Sequence, residues 1–237
     1  MEKRDFIYEG KAKKLYKTDD PDLLIQFFKD DATAFNAQKK GTILSKGIFN
    51  NKISERLFNL LEDSGLSTHF VRRLSDREML IRRLRMFPVE VVIRNRIAGS
   101  LAKRLGLQDG TVIPSPILEF YYKADALGDP MINEDHIRAL NFAGDSEIQA
   151  MRKLAFQVND VLRPFLEKKG LILIDFKVEF GDFHGKVTLG DEICPDTCRF
   201  WDQKTGERLD KDRFRMDLGK VEESYAEVFK RICEDTA

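Results

Sequence analysis

The chain has 237 residues, long enough to bury a sizeable core as one large domain or two small ones. Lys plus Arg and Asp plus Glu number 40 each, so the overall balance argues against a nucleic-acid partner. No apolar run approaches the length of a membrane span, the N-terminus Met1-Glu-Lys-Arg-Asp5 lacks the apolar stretch of a signal peptide, and three sparse cysteines fit a reducing compartment. A soluble cytoplasmic protein with no membrane partner is the expectation.

Phe6 to Tyr16 reads as two short strands bent at Gly10, with Lys11 and Lys13 beyond the bend. Such a loop suits phosphate groups, although a hairpin with lysines on its wet face has the same pattern. Asp19-Asp20-Pro21 is a turn and Leu23–Phe28 a buried strand. Ala32 to Lys46 is polar without periodicity and reads as a long loop. From Ile48 to Leu61 the apolar spacing describes a helix face, with Gly65 as its stop. Thr68 to Leu74 and Met79 to Met86 complete five strands and one helix, a small α+β lobe.

Arg72 to Arg104 holds ten basic residues against three acids, whereas Glu119 to Glu147 holds seven acids against two bases. Within the first stretch, alternation over Pro88 to Arg94 places Glu90 and Arg94 on one side of a strand. Gly99-Ser100 then opens a short helix, Leu101–Leu105, stopped by Gly106. Helix N-terminal amides, the Ser100 hydroxyl and Arg94 together would cradle a phosphate, with an ordinary helix cap as the competing reading. Pro114 and Pro116 mark a loop, Leu118–Tyr122 a strand, and Ala126-Leu-Gly-Asp-Pro130 a turn with Asp129 at its tip.

Ser146-Glu-Ile-Gln149 resembles a capping box opening the longest helix, whose stripe from Ile148 to Leu166 is core packing. Pro164 should bend that helix and Gly170 end it. Leu171-Ile-Leu-Ile174 is then a fully apolar run, as in a strand covered on both faces, and the charges begin at Asp175. Period-two alternation projects Asp175, Lys177 and Glu179 together, with Phe176, Val178 and Phe180 on the other side. Three charges on a largely apolar strand need pairing, hydration or a metal unless this is the solvated face of a hairpin. Cys194 and Cys198 lack the neighbouring partners of a tetrahedral zinc site. Asp196, Arg199 and Trp201 follow, then Asp210 to Arg215 and a last helix from about Val221 to Cys233.

These stretches resemble the SAICAR synthetase family of purine biosynthesis. The resemblance rests on Phe87-Pro-Val-Glu-Val-Val-Ile-Arg94 running into Ala98-Gly-Ser100, and on Ile174-Asp-Phe-Lys-Val-Glu-Phe-Gly181. Tyr8-Glu-Gly-Lys-Ala-Lys13, Thr33-Ala-Phe-Asn36, Ala126 to Pro130, Gly190-Asp-Glu192 and Cys194-Pro-Asp-Thr-Cys-Arg199 follow in family order. The resemblance implies a two-lobe α+β ATP-binding fold with a kinase-like or ATP-grasp-like cleft. It divides the chain into an N-terminal antiparallel lobe, residues 1–85, and a C-terminal lobe, residues 86–237. The implied reaction joins carboxyaminoimidazole ribotide (CAIR) to L-aspartate with ATP, through an acyl phosphate.

By the same resemblance Lys11 and Lys13 meet the ATP phosphates, and Glu179 and Asp191 hold magnesium (Mg2+). Lys177 and Asp175 serve the transferring phosphoryl group and the CAIR side. Arg94, Ser100 and Arg199 form the CAIR phosphate site, with Asp196 nearby. Glu90 is open between orienting CAIR, binding a second metal and pairing with an arginine. Lys211, Arg213 and Arg215 are candidates for the aspartate carboxylates, and Asp129 for its amine. Bacterial members of the family suggest a homodimer. Two other readings remain at this point: a kinase-like phosphotransferase acting on a small alcohol or lipid head group, and a nucleic-acid module built on the basic stretch.

Overall fold

A computed structural model describes residues 2–34 and 38–234; Phe35 and Asn36 of the Thr33 motif therefore lie outside the described residues. The chain opens with strands β1 (Phe6–Glu9), β2 (Lys13–Lys17), β3 (Leu23–Phe28), β4 (Asp31–Ala34) and β5 (Lys39–Thr42). Helix α1 (Lys46–Asp63) and strands β6 (Phe70–Arg73) and β7 (Glu78–Arg82) follow. Next come β8 (Arg85–Arg96), α2 (Ser100–Leu105), β9 (Val112–Tyr122), β10 (Met131–Ile132), α3 (Glu134–Ala139) and α4 (Asp145–Lys168). The chain closes with β11 (Leu171–Phe183), β12 (Lys186–Gly190), β13 (Cys198–Asp202), α5 (Asp212–Arg215) and α6 (Val221–Cys233).

The strands form a five-stranded sheet in the order β1-β2-β3-β7-β6 and a six-stranded sheet in the order β10-β9-β8-β11-β12, with β13 also paired to β11. Every pairing between these strands is antiparallel. One apolar core runs from Leu24 and Phe28 of the first sheet, through Phe58 and Leu61 of α1 and the α4 stripe, to Val228 and Ile232 of α6. The α4 stripe buries Ile148, Met151, Ala155, Val158, Leu162 and Leu166, the i, i+3, i+4 spacing of an amphipathic helix.

Three local expectations give way. Ala32 to Lys46 is not one loop, because β4 and β5 pair from Asp31↔Thr42 to Ala34↔Lys39. Only Ala32 and Ala34 of β4 are buried, so small residues carry the apolar side and no strong alternation shows in the sequence. Pro114 and Pro116 sit inside β9 rather than in a loop. On its outer side β9 is paired by β10 at Tyr121 and Phe120 only, so the missing proline N–H groups fall at an open edge. Helix α4 begins at Asp145, ahead of the expected Ser146 cap: the Gly144 N–H donates to the Glu147 carboxylate at 2.7 Å.

Candidate active site

Strand β11 is the axis of the site because it pairs on both sides with strands that carry charge. Asp175 lies opposite Arg94 of β8 and Arg199 of β13, while Glu179 lies opposite Glu90 of β8 and Gly190 of β12. A cavity of about 640 Å³ opens above this face. Asp175, Lys177 and Glu179 all line it, while Phe176, Val178 and Phe180 are fully buried on the other face.

At one end of the cavity three lysines meet four carboxylates. Lys177 Nζ lies 2.7 Å from Glu90, 3.2 Å from Glu179 and 3.7 Å from Asp191. Lys13 pairs with Asp191 and Glu192, and Lys123 with Glu179. Burial disfavours the charge on Lys177, yet Glu179, Asp191 and Glu90 outweigh it and hold the ammonium well above the usual lysine range. Burial likewise opposes ionisation of Asp191, but Lys13, Lys177 and Lys123 keep its carboxyl well below the usual range. The burden falls on Glu192, pushed up to about 7 by burial and by Asp191 beside it. Glu90 is also raised, by burial against the opposing pull of Lys177.

Asp191 takes a left-handed backbone angle, φ 63°, at the turn after β12. The Glu179 and Asp191 carboxylates both lie within 4 Å of the Lys177 ammonium, so hard oxygen donors already surround one cationic point. Such a donor set fits magnesium, which prefers one or two carboxylates completed by phosphate and water. Lys11 is more exposed and reaches Asp125 at 2.7 Å across the cavity mouth.

At the other end Arg94 is nearly fully buried. It donates to Glu119 at 2.5 Å, Asp175 at 2.9 Å, the Ser100 hydroxyl at 3.0 Å and Tyr121 at 3.2 Å. Arg199 grips Asp175 at 2.8 Å and Asp212 at 2.8 Å. Its guanidinium crosses Gly99, where an added Cβ would stand 2.5 Å from Nη2 and φ is +56°. At the cavity floor, Asp196 accepts from Lys46 at 2.6 Å, Tyr225 at 2.7 Å and Asn50 at 3.0 Å, with Lys211 at 3.8 Å. Burial opposes its charge, but Lys211 and Lys46 hold Asp196 far below the usual carboxylate range. Glu192, Cys194 and Asp196 bring potential metal-ligand atoms within 4.8 Å of one another. The Lys46, Tyr225 and Asn50 contacts already engage Asp196, and burial keeps the Cys194 thiol protonated, so this group is an ion-pair and hydrogen-bond network.

The structure therefore gathers Lys11, Lys13, Glu90, Arg94, Asp129, Asp175, Lys177, Glu179, Asp191, Asp196 and Arg199 around one cavity, and Ser100 joins it through Arg94. Lys211 and Arg215 also line the cavity. Arg213 does not belong with them: it turns away to Glu207 at 2.6 Å and the Gly219 carbonyl at 2.7 Å. The four-residue turn of α5 sends successive side chains in different directions, which the basic run in the sequence does not reveal. Sequence reasoning missed Lys46, Lys123, Glu119, Glu192 and Asp212. Adjacent acids at Asp191-Glu192 were a visible signal, whereas Lys46 and Lys123 sit at element ends where no periodicity marks them.

The rest of the cavity has an apolar roof of Leu15, Leu24 and Ile81 and an apolar edge of Leu84 and Met86. An apolar slot that leads to lysines and paired carboxylates, held between two antiparallel lobes, has the shape and charge to accept a nucleotide and its phosphates, as an ATP-dependent enzyme requires. The family model for SAICAR synthetase matches residues 6–232. Phosphoribosylaminoimidazole-succinocarboxamide synthase of Desulfitobacterium hafniense is 57% identical over 234 residues, covering 99% of this chain and 98% of the relative. The enzyme of the same name from a Thermoanaerobacter species is 58% identical over 232 residues, covering 98% and 99%. Among solved structures, the Ehrlichia chaffeensis enzyme aligns at TM-score 0.95 with 45% identity, covering 98% of this chain and 100% of that one. A type-2 SAICAR synthetase in complex with ADP aligns at 0.94 with 49% identity, covering 98% and 99%. The chain belongs to the SAICAR synthetase family, ATP-dependent ligases of purine biosynthesis.

Proposed function

We propose that the chain joins CAIR to L-aspartate at the expense of ATP, with the two ends of the cavity dividing the work. The observation that carries this is the Lys177 ammonium amid Glu90, Glu179 and Asp191, on the same strand as the arginine-bound Asp175. Lys11, Lys13 and Lys123 meet the ATP phosphates, and Glu179 and Asp191 hold Mg2+, which neutralises phosphate charge when bound. Arg94, Arg199 and Ser100 receive the CAIR phosphate, with Asp175 and Asp196 fixing the arginines and the floor. Glu90 positions Lys177, to which it is bonded at 2.7 Å.

A carboxylate resists amines because it is anionic and offers a poor leaving group. In the proposed sequence a CAIR carboxylate oxygen attacks the γ-phosphorus, the bond to the β-phosphate oxygen breaks, and ADP leaves an acyl phosphate. The aspartate amine then attacks the acyl carbon, the carbon–oxygen bond breaks, phosphate departs and the nitrogen loses a proton. Lys177 sits where charge shifts during the first step, and preorganised cations of this kind supply much of the rate in phosphoryl transfer. Lys211 and Arg215 are assigned to the aspartate carboxylates and Asp129 to the amine. An alcohol kinase would instead need a base beside the γ-phosphate to accept the hydroxyl proton.

No helix among the described residues is long and apolar enough to cross a membrane, which agrees with a cytoplasmic setting. We also assign a homodimer, two lobes per protomer divided near residue 85, and no nucleic-acid partner. ADP release from purified protein is the test, with CAIR alone, aspartate alone and both together. Release that requires CAIR supports the ligase; turnover on a small alcohol with no response to CAIR refutes it.

A further inference from the structure

The arginine end of the cavity is braced from outside by a turn with no part in the roles above. Residues 106–111 connect α2 to β9 and fold back on the chain just ahead of α2. The Gly110 N–H donates to the Ile97 carbonyl at 2.7 Å, and the Ile97 N–H to the Thr111 carbonyl at 2.9 Å. From this turn the Asp109 carboxylate reaches two ways. One oxygen accepts the Gly99 N–H at 3.0 Å, and the other is paired with the Arg208 guanidinium.

Arg208 is itself fixed. It lies opposite Trp201 in a backbone bridge, and its guanidinium covers that indole ring at 5.4 Å. The same ring lies against Gly110, where an added Cβ would stand 3.0 Å from it. Trp201 and Arg199 are two residues apart on β13 and so project from one face of the strand. The strand that aims Arg199 at Asp175 therefore also carries the anchor for Asp109.

The brace acts on two groups at the cavity. Arg199 passes over Gly99 too closely to allow a Cβ, and Ser100, the next residue, accepts from Arg94 at 3.0 Å. A carboxylate that holds the Gly99 N–H therefore fixes the surface on which the Arg199 guanidinium rests and the place of the Ser100 hydroxyl. The Asp109 side chain is 37% exposed, and an ion pair so open to water adds little to the stability of the fold. Its consequence lies in the geometry of what it holds. Arg208 also neutralises a carboxylate that would otherwise stand unpaired beside an anion site.

We propose that Asp109, anchored by Arg208, is a positioning residue for the phosphate of the ribotide substrate. Through the Gly99 N–H it keeps Ser100 and Arg199 where they and Arg94 converge on that phosphate. This rests on the assignment of the arginine end to the CAIR phosphate and adds the residues outside the cavity that set its affinity.

The test measures binding, so it does not depend on turnover. Titration calorimetry on the full-length protein uses 5-aminoimidazole-4-carboxamide ribotide, a stable analogue with the same 5′-phosphate, in the presence of ADP and magnesium. ADP titrated alone is the control. Asp109→Ala should bind the ribotide about tenfold more weakly than the parent, while ADP affinity moves by less than about twofold. Asp109→Asn keeps an oxygen for the Gly99 N–H and should stay within about threefold of the parent; Arg208→Met should fall between the two. Melting temperatures should lie within about 3 °C of the parent, as expected for an exposed pair. Should Asp109→Ala fold poorly, Arg208→Met carries the same comparison. Ribotide binding by Asp109→Ala as tight as the parent's, an equal loss for ribotide and ADP, or a parent that does not bind the ribotide overturns the proposal. A ribotide-specific loss in a protein whose ADP release does not require CAIR would sink the ligase reading and leave this one standing. CAIR-dependent release with no ribotide-specific loss would do the reverse.

Discussion

Lys46→Met tests whether the ion network beneath the cavity holds the lobes together. Lys46 is the first residue of α1, has no exposed side-chain surface, and meets Asp196 at 2.6 Å. Methionine keeps the length of the side chain and removes the charge, which leaves the Asp196 carboxylate buried with Asn50, Tyr225 and the more distant Lys211. Breaking a buried pair by deleting one partner costs about 3–5 kcal/mol, and the three remaining partners place this case near the lower figure, about 3 kcal/mol. That is a large share of the roughly 5–15 kcal/mol that stabilises a typical domain. With a urea m-value of about 3 kcal/mol/M, the midpoint should fall by about 1 M. Asp196→Asn should be destabilised comparably, and the double variant should recover about 2 kcal/mol of the summed loss because neither unpaired charge remains. Urea unfolding followed by tryptophan fluorescence measures all four proteins. A loss below about 1 kcal/mol for Lys46→Met, or strict additivity in the double variant, would show that the network is not a stabilising contact.

Lys177→Ala should lower kcat by about 10²- to 10³-fold while the melting temperature moves by less than about 5 °C, since the residue serves the reaction more than the core. Near-normal turnover would remove Lys177 from the chemistry. Gly99→Ala strains a left-handed position and drives a Cβ to 2.5 Å from Arg199, so the KM for CAIR should rise about tenfold with kcat less affected. An unchanged KM would detach Arg199 from that substrate. Asp212→Asn addresses pH. Burial opposes the charge of Asp212, but Arg199 and Arg215 hold its carboxyl down at about 2. A depressed carboxyl stabilises the fold above its unfolded value near 3.8 and loses that contribution as pH falls toward 2. The shift corresponds to about 2 kcal/mol. Thermal melts should therefore show Asp212→Asn less stable than the parent at pH 7 and flatter with pH below 4; parallel curves would contradict the pairing.

Much of this protein is legible in one dimension because short-range rules write it there. The alternation of Asp175, Lys177 and Glu179 against Phe176, Val178 and Phe180 follows from the two-residue strand repeat, whatever the strand pairs with. The α4 stripe follows from the helical repeat, and Gly65 and Gly106 take the left-handed angles expected at helix ends. Where the repeat was weak the reading failed. The alanine-faced β4, the prolines on the open edge of β9 and the Gly144 cap of α4 depend on which neighbour is present, not on the residues alone.

What tertiary structure alone decided is partnership. Sequence places Arg94 and Asp175 on two strands; the register of β8 on β11 sets them opposite one another and supplies Glu119 from β9 as the second partner. In the basic run, Lys211 and Arg215 face the cavity while Arg213 between them does not, because it lies about half a helical turn from both. Gln26 looks in sequence like an interruption of an apolar strand, and only the packed structure shows that buried side chain lining the cavity. Local periodicity assigns each side chain a face; which charges meet across the cleft is set by strand register and lobe packing, over sequence separations that no local pattern can encode.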